Sequence, residues 1–148
     1  MRVLVQRSLN SKVEVNGKVI GSIDKGLVLF VGFTDGDDLS DIEYLVKKVL
    51  NLRIFDDENN IMNKSILDAG GSILSISQFT LYADTKKGNR PSYIKAMKSD
   101  EAIEMYELFN KKLKEQIHVE TGEFGADMKV SITNDGPVTI WLESGTKN

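Results

Sequence analysis

No cysteine occurs among the 148 residues, there is one histidine, and there are only two prolines. The first absence excludes a disulfide framework, thiolate metal sites and thiol nucleophiles. With His118 as the only imidazole, a zinc site lacks a ligand set and no metal is expected. A Ser-His-Asp triad would have to be built on that same residue, and no motif positions it for the task. It follows a helical pattern, where a cation suits the C-terminal end of the dipole. Long apolar runs are also missing. Nothing approaches the roughly 18 residues a spanning helix needs, and the opening MRVLVQRSLNSK, broken by Gln6 and Arg7, is too short for a signal sequence. These absences predict a soluble, cytoplasmic protein with no membrane association. There is no GxGxxG and no Walker sequence, so no nucleotide cofactor is expected. Two acidic runs imitate calcium loops without fitting them. Counting from Asp35, position twelve is Val46 where a bidentate Glu belongs, and counting from Asp56, position six is Ile61 where glycine is needed.

What is present is an ordinary globular composition. Hydrophobic residues make up 41% and charged residues 28%, enough of each for one core under a polar surface. A chain of this length reads as one domain, residues 1–148, burying roughly 70% of its unfolded surface. The formal charge of −3 argues against broad electrostatic binding of a duplex, where a basic face is required. It does not exclude contact with a few nucleotides. One local basic cluster stands out, Lys86, Lys87 and Arg90 around Gly88, and its simplest reading is a solvated loop. Lys111, Lys112 and Lys114 are explained by the last turns of a helix.

No linker and no repeat divides the chain. Val3 and Val5 begin a strand. Val13 and Val15 alternate with Lys12 and Glu14, and Asn16-Gly17 marks a turn. A three-residue loop there pairs Val15 with Val19 and keeps both on one face. Leu27 to Phe33 reads as a strand buried on both faces. Asp37 and Asp38 are suited to start a helix carrying Ile42, Leu45, Val46 and Val49 at helical spacing. A second helix of about 19 residues begins near Ser99, with Ala102, Ile103, Tyr106, Phe109, Leu113 and Ile117 as its stripe. Between the two, a strand runs from Ser72 to about Leu81. Met128, Val130 and Ile132 alternate in another, and Val138 to Leu142 closes the chain, leaving Ser144–Asn148 as a frayed tail. Strands before, between and after two helices predict an α+β fold: a mostly antiparallel, barrel-like sheet with two main helices packed outside it.

Two segments resist a purely structural reading. Ser77-Gln78-Phe79-Thr80-Leu81 is a strand end with three consecutive side chains able to hydrogen-bond or stack. Backbone N–H groups exposed beside hydroxyls can hold an ester carbonyl and its developing oxyanion, although Ser and Thr in strands are usually structural. Asn134-Asp135-Gly136-Pro137-Val138-Thr139 is built from turn formers and reads first as a tight turn between two strands. A cis Gly-Pro bond there sets two carbonyls side by side, able to accept from an ammonium group. Only about 5–6% of X-Pro bonds are cis, so the sequence alone does not assert it.

Together these segments resemble the D-aminoacyl-tRNA deacylase family. The likeness runs along essentially the whole chain, through MRVLVQRS, GLVLFVG, SILSISQFTLYAD, KGNRPSY and NDGPVTIWLES. The resemblance implies hydrolysis of the ester joining a D-amino acid to the terminal ribose of tRNA, with some action on glycyl-tRNA. It implies a β-barrel-like fold and a homodimer whose active sites lie at the subunit interface, and aminoacylated tRNA, held by its 3′ end, as the partner. Gly136-Pro137 is then the cis-proline pair inserted into the partner's site. Its carbonyls take the substrate ammonium and leave room for a side chain only in the D configuration, a selection by exclusion. Ser77, Gln78, Phe79 and Thr80 form the wall around the scissile ester, with Ser77 and Gln78 orienting the terminal adenosine and Phe79 packing against it. Arg7, Phe124 and Met128 match positions near the pocket that brace the inserted loop. As a nucleophile Thr80 would need a general base, and the sequence offers no histidine for it. The chemistry therefore falls to water, the backbone N–H groups near Phe79 and Thr80, and the substrate's own 2′-hydroxyl. Lys86, Lys87 and Arg90 come within range of acceptor-stem phosphates. The alternatives are a non-catalytic module that binds the tRNA 3′ end and an ordinary serine or threonine esterase in which Ser77 or Thr80 acts chemically.

Overall fold

Asn16 and Gly17 both take positive φ, 51° and 77°, which makes their two-residue turn the type whose twist matches the flanking strands. In the computed structural model, which describes residues 1–145, this turn joins β1 (Arg2–Val15) to β2 (Lys18–Gly32). Val15 faces Lys18 rather than Val19, and a bulge between the Val13–Gly21 and Glu14–Val19 pairs absorbs Ile20. The three-residue loop expected from the valines is therefore incorrect. Val19 and Ile20 are 45% and 40% exposed, so no buried face had to be preserved, and the Asn-Gly preference decides the turn.

The first helix, α1 (Leu39–Asn51), starts as expected. Asp38 accepts from the Ser40 N–H at 2.9 Å while the Asp41 carboxylate accepts from the Asp38 N–H at 2.9 Å, a reciprocal cap. A small ribbon follows, β3 (Phe55–Asp56) with β4 (Met62–Lys64), then the single turn α2 (Ile66–Ala69). Strand β5 (Ser72–Ser77) enters the sheet where Gly26 passes it. At Gly26, with φ of 152°, a Cβ would sit 1.7 Å from the Ser72 carbonyl oxygen, so only glycine permits that approach. Helix α3 (Ser99–Lys114) is 16 residues long, shorter than the 19 expected, although Ile117 still packs on the core. Strands β6 (Val119–Thr121) and β7 (Lys129–Glu143) complete the order.

These strands form one five-stranded sheet ordered β6-β5-β2-β1-β7. Its long ladders, β1 with β2 and β1 with β7, are antiparallel, and the short β5 and β6 join in parallel. The sheet curls enough that a Cβ on Gly122, just past β6, would meet the Met128 sulfur at 2.6 Å. Yet β6 and β7 are not paired, so the barrel-like expectation is corrected to an open sheet. The physical reason is length: β6 offers three residues against the fifteen of β7, and residues 122–128 intervene. Both α1 and α3 cover one face, burying Leu27, Leu29, Val31, Ile42, Leu45, Phe109 and Leu113. On the other face Val13, Val28, Leu74 and Ile76 form a smaller cluster, flanked by half-buried Phe30, Met128, Val130 and Ile132. The expectation that Leu27 to Phe33 is buried on both faces holds for Leu27, Val28, Leu29 and Val31, while Phe30 is half-buried and the strand ends at Gly32. The tail is corrected in part. Ser144 is buried and its N–H donates to the Met1 carbonyl at 3.0 Å, while positions 146–148 lie outside the described residues. Among those residues no helix is long and apolar enough to cross a membrane.

Two buried phenols make a prediction. Tyr106 donates to the Ser75 carbonyl at 2.6 Å. Burial pushes the Tyr106 and Tyr82 phenols up from their ordinary value of 10.0, with the nearby Asp37 charge adding to the effect at Tyr82. A group whose folded pKa is raised contributes fully below its unfolded pKa, and its contribution fades as pH climbs toward the folded value. Stability should therefore fall above about pH 10, the unfolded phenol value, and fall less steeply in Tyr106→Phe. Urea midpoints measured from pH 8 to 11 check this; parallel curves for the two proteins would contradict it.

Candidate functional site

Strand β7 does not end at the Asn-Asp-Gly-Pro run. Its pairing with β1 continues on both sides, Ser8 opposite Asn134 and Gln6 opposite Thr139, leaving Asp135 to Val138 opposite Arg7 alone. The segment expected as a turn between two strands is thus an excursion out of one strand and back into it. Asn134 clasps its neck. The Asn134 side-chain amide donates to the carbonyls of Val138 and Arg7, each at 3.0 Å, and its oxygen accepts from Gln6 at 3.2 Å and from the Thr139 hydroxyl at 3.1 Å. Arg7, only 9% exposed, backs the loop. Its Nε donates to the Asp135 carbonyl at 3.2 Å and Nη1 to the Ile54 carbonyl at 2.8 Å. The Asp135 and Asp56 carboxylates stand 3.3 and 3.5 Å from the guanidinium and are half exposed. The backbone contacts therefore carry more of the anchoring than these ion pairs. At the tip, Gly136 and Pro137 are exposed and joined by a cis peptide bond. Gly136 has φ of 124°, and a Cβ there would lie 2.8 Å from Val138 Cγ2 and 3.2 Å from Arg7 Nη2.

The other segment departs from expectation as well. β5 stops at Ser77, and Phe79–Tyr82 winds into a 3-10 turn. The cause is the loss of a partner. The Gln78 N–H takes the Val31 carbonyl at 2.7 Å, and β2 ends one residue later at Gly32, where a Cβ would meet the Gln78 oxygen at 2.8 Å. Beyond that point the chain bonds to itself, Leu81 N–H to Gln78 at 3.3 Å and Ala83 N–H to Thr80 at 3.1 Å. The first N–H groups of such a turn, those of Phe79 and Thr80, have no acceptor within it. The Thr80 hydroxyl accepts from the Gln78 side-chain amide, a group without basicity. Arg2 fixes the far end of the turn, donating to the Leu81 carbonyl at 2.8 Å and lying over Tyr82 at 4.3 Å.

Beside this turn opens a cavity of about 590 Å³, within the usual range for small-molecule sites. It lies past the C-terminal ends of the parallel β2 and β5, closed on one side by the start of α3 and on the other by residues 124–128. Ser77, Gln78, Phe79, Phe124 and Met128 line it together, although the sequence reading set Phe124 and Met128 with Arg7 at the inserted loop. Thr80 does not line it, and neither do Arg7, Gly136 and Pro137. The expected site is therefore divided between two places on one chain. Tyr93, Met97 and Lys98 line the cavity too and were missed. Tyr93 meets Phe79 edge to face, ring centroids 4.9 Å apart at 70°. Its sequence signals were an aromatic beside the basic cluster and its place at the end of the KGNRPSY segment. None of the lining residues is His, Asp, Glu or Cys. His118 is corrected: it lies beyond α3, its side chain 67% exposed, with Nε2 2.8 Å from Glu120. Among the described residues no group of three metal-ligating side chains converges.

Removing Arg7 strands two backbone carbonyls and frees the excursion. We expect Arg7→Ala to cost about 3 kcal/mol, two charge-assisted bonds partly replaced by water, and Arg7→Lys to recover little because one ammonium cannot fork to both carbonyls. Urea unfolding measures this; an unchanged midpoint in Arg7→Ala would mean that the loop is held otherwise.

The D-Tyr-tRNA(Tyr) deacylase family model matches residues 4–143. Proteins named D-aminoacyl-tRNA deacylase from Clostridium botulinum (strain Langeland / NCTC 10281 / Type F) and Clostridium tetani (strain Massachusetts / E88) are 57% and 59% identical over 145 residues, covering 97% of each chain. A solved structure described as c-Myc DNA Unwinding Element Binding Protein superposes with a TM-score of 0.92 at 39% identity, over 97% of this chain and 98% of that one. A second, described as a probable eukaryotic D-amino acid tRNA deacylase, has a TM-score of 0.81 at 17% identity, over 95% and 97% of the two chains, and speaks to the fold alone. In sequence, length and fold, the chain belongs to the D-Tyr-tRNA(Tyr) deacylase family.

Proposed function

We propose that this hydrolase cleaves the ester of D-aminoacyl-tRNA, releasing the D-amino acid and free tRNA, and that the backbone performs the chemistry. The observation that carries the reading is a cavity rimmed by Ser77, Gln78 and Phe79 whose lining includes no carboxylate or imidazole. No carboxylate or imidazole stands there to receive a proton from a nucleophilic hydroxyl, and Lys98 is the one amine in the lining. Water attacks the ester carbonyl instead, assisted by the 2′-hydroxyl of the substrate ribose. The developing oxyanion settles on the N–H groups of Phe79 and Thr80, the kind of preorganised donor that stabilises charge at little reorganisation cost. Collapse breaks the bond from the acyl carbon to the ribose oxygen, and the proton given up by the water passes through the 2′-hydroxyl to that departing oxygen. Ser77 and Gln78 orient the terminal adenosine and Phe79 packs against it, while Phe124 and Met128 close the opposite wall.

Chirality is assigned to Gly136 and Pro137 of a second copy. Their carbonyls accept from the substrate ammonium, a D side chain points to open space, and an L side chain clashes. Glycine offers nothing to exclude, so some glycyl-tRNA is cleaved. Three features support a homodimer with shared sites: the exposed Gly136–Pro137 tip, its firm backing by Arg7, and the 15-residue edge strand β7 left uncovered with Trp141 47% exposed. Long bare edges invite pairing. The protein is assigned to the cytoplasm, where aminoacylated tRNA is made.

A lining without carboxylate or imidazole also leaves room for a second reading, a module that binds the tRNA 3′ end without turnover. Incubation with D-Tyr-tRNA and L-Tyr-tRNA decides between them. Selective loss of the D ester supports the hydrolase; absent or equal loss sinks it. Thr80→Ala should retain activity within about tenfold, far from the loss expected when a nucleophile is removed. For the shared site, Gly136→Ala and Phe79→Ala, each impaired alone, should on mixing recover about a quarter of wild-type activity, since half the dimers would hold one intact site. No recovery after subunit exchange would place each site within one chain.

A further inference from the structure

Residues 84–92 form a loop with a closed neck. The Asp84 N–H donates to the Ser92 carbonyl at 2.8 Å and the Ser92 N–H returns to Asp84 at 2.9 Å. The Asp84 carboxylate is turned back on its own loop, accepting from the Lys86 N–H at 3.0 Å and pairing with Lys95 at 3.4 Å. The nearest acid is thereby occupied. Lys86, Lys87 and Arg90 project from the exposed segment 85–91, and no carboxylate among the described residues stands within ion-pair distance of any of them. The residue just past the neck is Tyr93, 40% exposed and edge-on to Phe79 at 4.9 Å, both lining the cavity. A seven-residue loop carries its tip no more than three or four residues from its neck, roughly 10–14 Å of chain. The three cations therefore begin at the rim of the cavity.

Cations beside exposed aromatic faces are the combination that takes single-stranded nucleic acid, with phosphates on the charges and bases on the rings. On a chain of net charge −3, one short loop offers no extended basic face for a duplex. We propose that residues 84–93 clamp the phosphates of the single-stranded RNA 3′ end whose terminal ester enters the cavity, with Tyr93 as a stacking face. This rests on the ester-hydrolase reading. It gives the basic loop a positioning role, holding the RNA backbone while the terminal residue reacts a short distance away.

The test uses the whole protein and two substrates, D-Tyr-tRNA and the short ester D-tyrosyl-adenosine. For Lys86→Ala/Lys87→Ala/Arg90→Ala, KM for the tRNA should rise about tenfold or more near 0.1 M salt. The log–log salt slope should flatten by about 2, three charges at roughly 0.7 each for single strands. kcat, and turnover of the short ester, should stay as in the wild type. Lys86→Arg/Lys87→Arg should keep both affinity and slope. Tyr93→Leu should raise KM with the slope unchanged. A triple variant matching the wild type in KM and slope, or losing the short ester as badly as the tRNA, overturns the clamp. If the wild type cleaves neither substrate, the hydrolase reading fails separately. The clamp is then judged by binding of labelled uncharged tRNA with and without its single-stranded 3′ end: a slope that shrinks on truncation sustains it, and equal slopes overturn it.

Discussion

Strand β1 is hydrogen-bonded along both flanks, to β2 on one side and β7 on the other, and the placement of both motif segments depends on its register. Two arginines five residues apart on β1 reach backbone carbonyls of the two segments, Arg2 to Leu81 and Arg7 to Asp135. A slip of one residue would turn both side chains to the wrong face. The Asn134 clasp then closes the neck of the Gly136–Pro137 excursion over Arg7. Most of this anchoring runs from side chain to backbone carbonyl, so it survives variation in the side chains of the loop itself.

The same economy governs the candidate site. The cavity exists because β2 and β5 stop at nearly the same level, one at Gly32 and the other at Ser77, and the chain then bonds to itself in a 3-10 turn. That turn leaves N–H groups at its start unused by the protein. A strand continued to Leu81 would have pointed alternate N–H groups to either side and concentrated none. The lining mixes aromatic and aliphatic side chains with Ser77, Gln78, Lys98 and Ser99 and holds no acid or imidazole, a set that fits chemistry assigned to water, backbone and substrate. Gly136 and Pro137 are not among the residues that line their own chain's cavity, and in the proposed site they therefore come from a second copy.

Local patterns legible in the sequence were those whose cause is local. The α1 stripe, its Asp38 cap and the doubly buried β2 followed from apolar spacing and one capping residue. The errors share a different origin. The Val15–Val19 pairing assumed a buried face that the tip of the hairpin does not have. The strand to Leu81 assumed a neighbour that had already ended. The Asn-Asp-Gly-Pro turn assumed a reversal, while β1 holds the chain in the same direction on both sides of the excursion. The barrel assumed that β6 and β7 would find each other, which three residues against fifteen do not allow. Tyr93 closes the KGNRPSY segment, but its place at the cavity was illegible for a similar reason. Nothing in its neighbours says that the loop at Asp84–Ser92 folds back to set its ring on Phe79.

By itself the sequence determined what chemistry is unavailable, because missing cysteines and a solitary histidine cannot be supplied by folding. It also determined the family, through motifs spread over the whole length, and the two long helices α1 and α3, whose periodicity is written in adjacent turns. Tertiary structure alone decided which of the named residues share a cavity, and that Thr80, Arg7, Gly136 and Pro137 do not. It also decided that the basic loop ends beside an aromatic pair. The physical reason is that cavities, necks and bulges are set by where a neighbouring strand stops, a property of pairs of segments far apart in the chain that no single segment encodes.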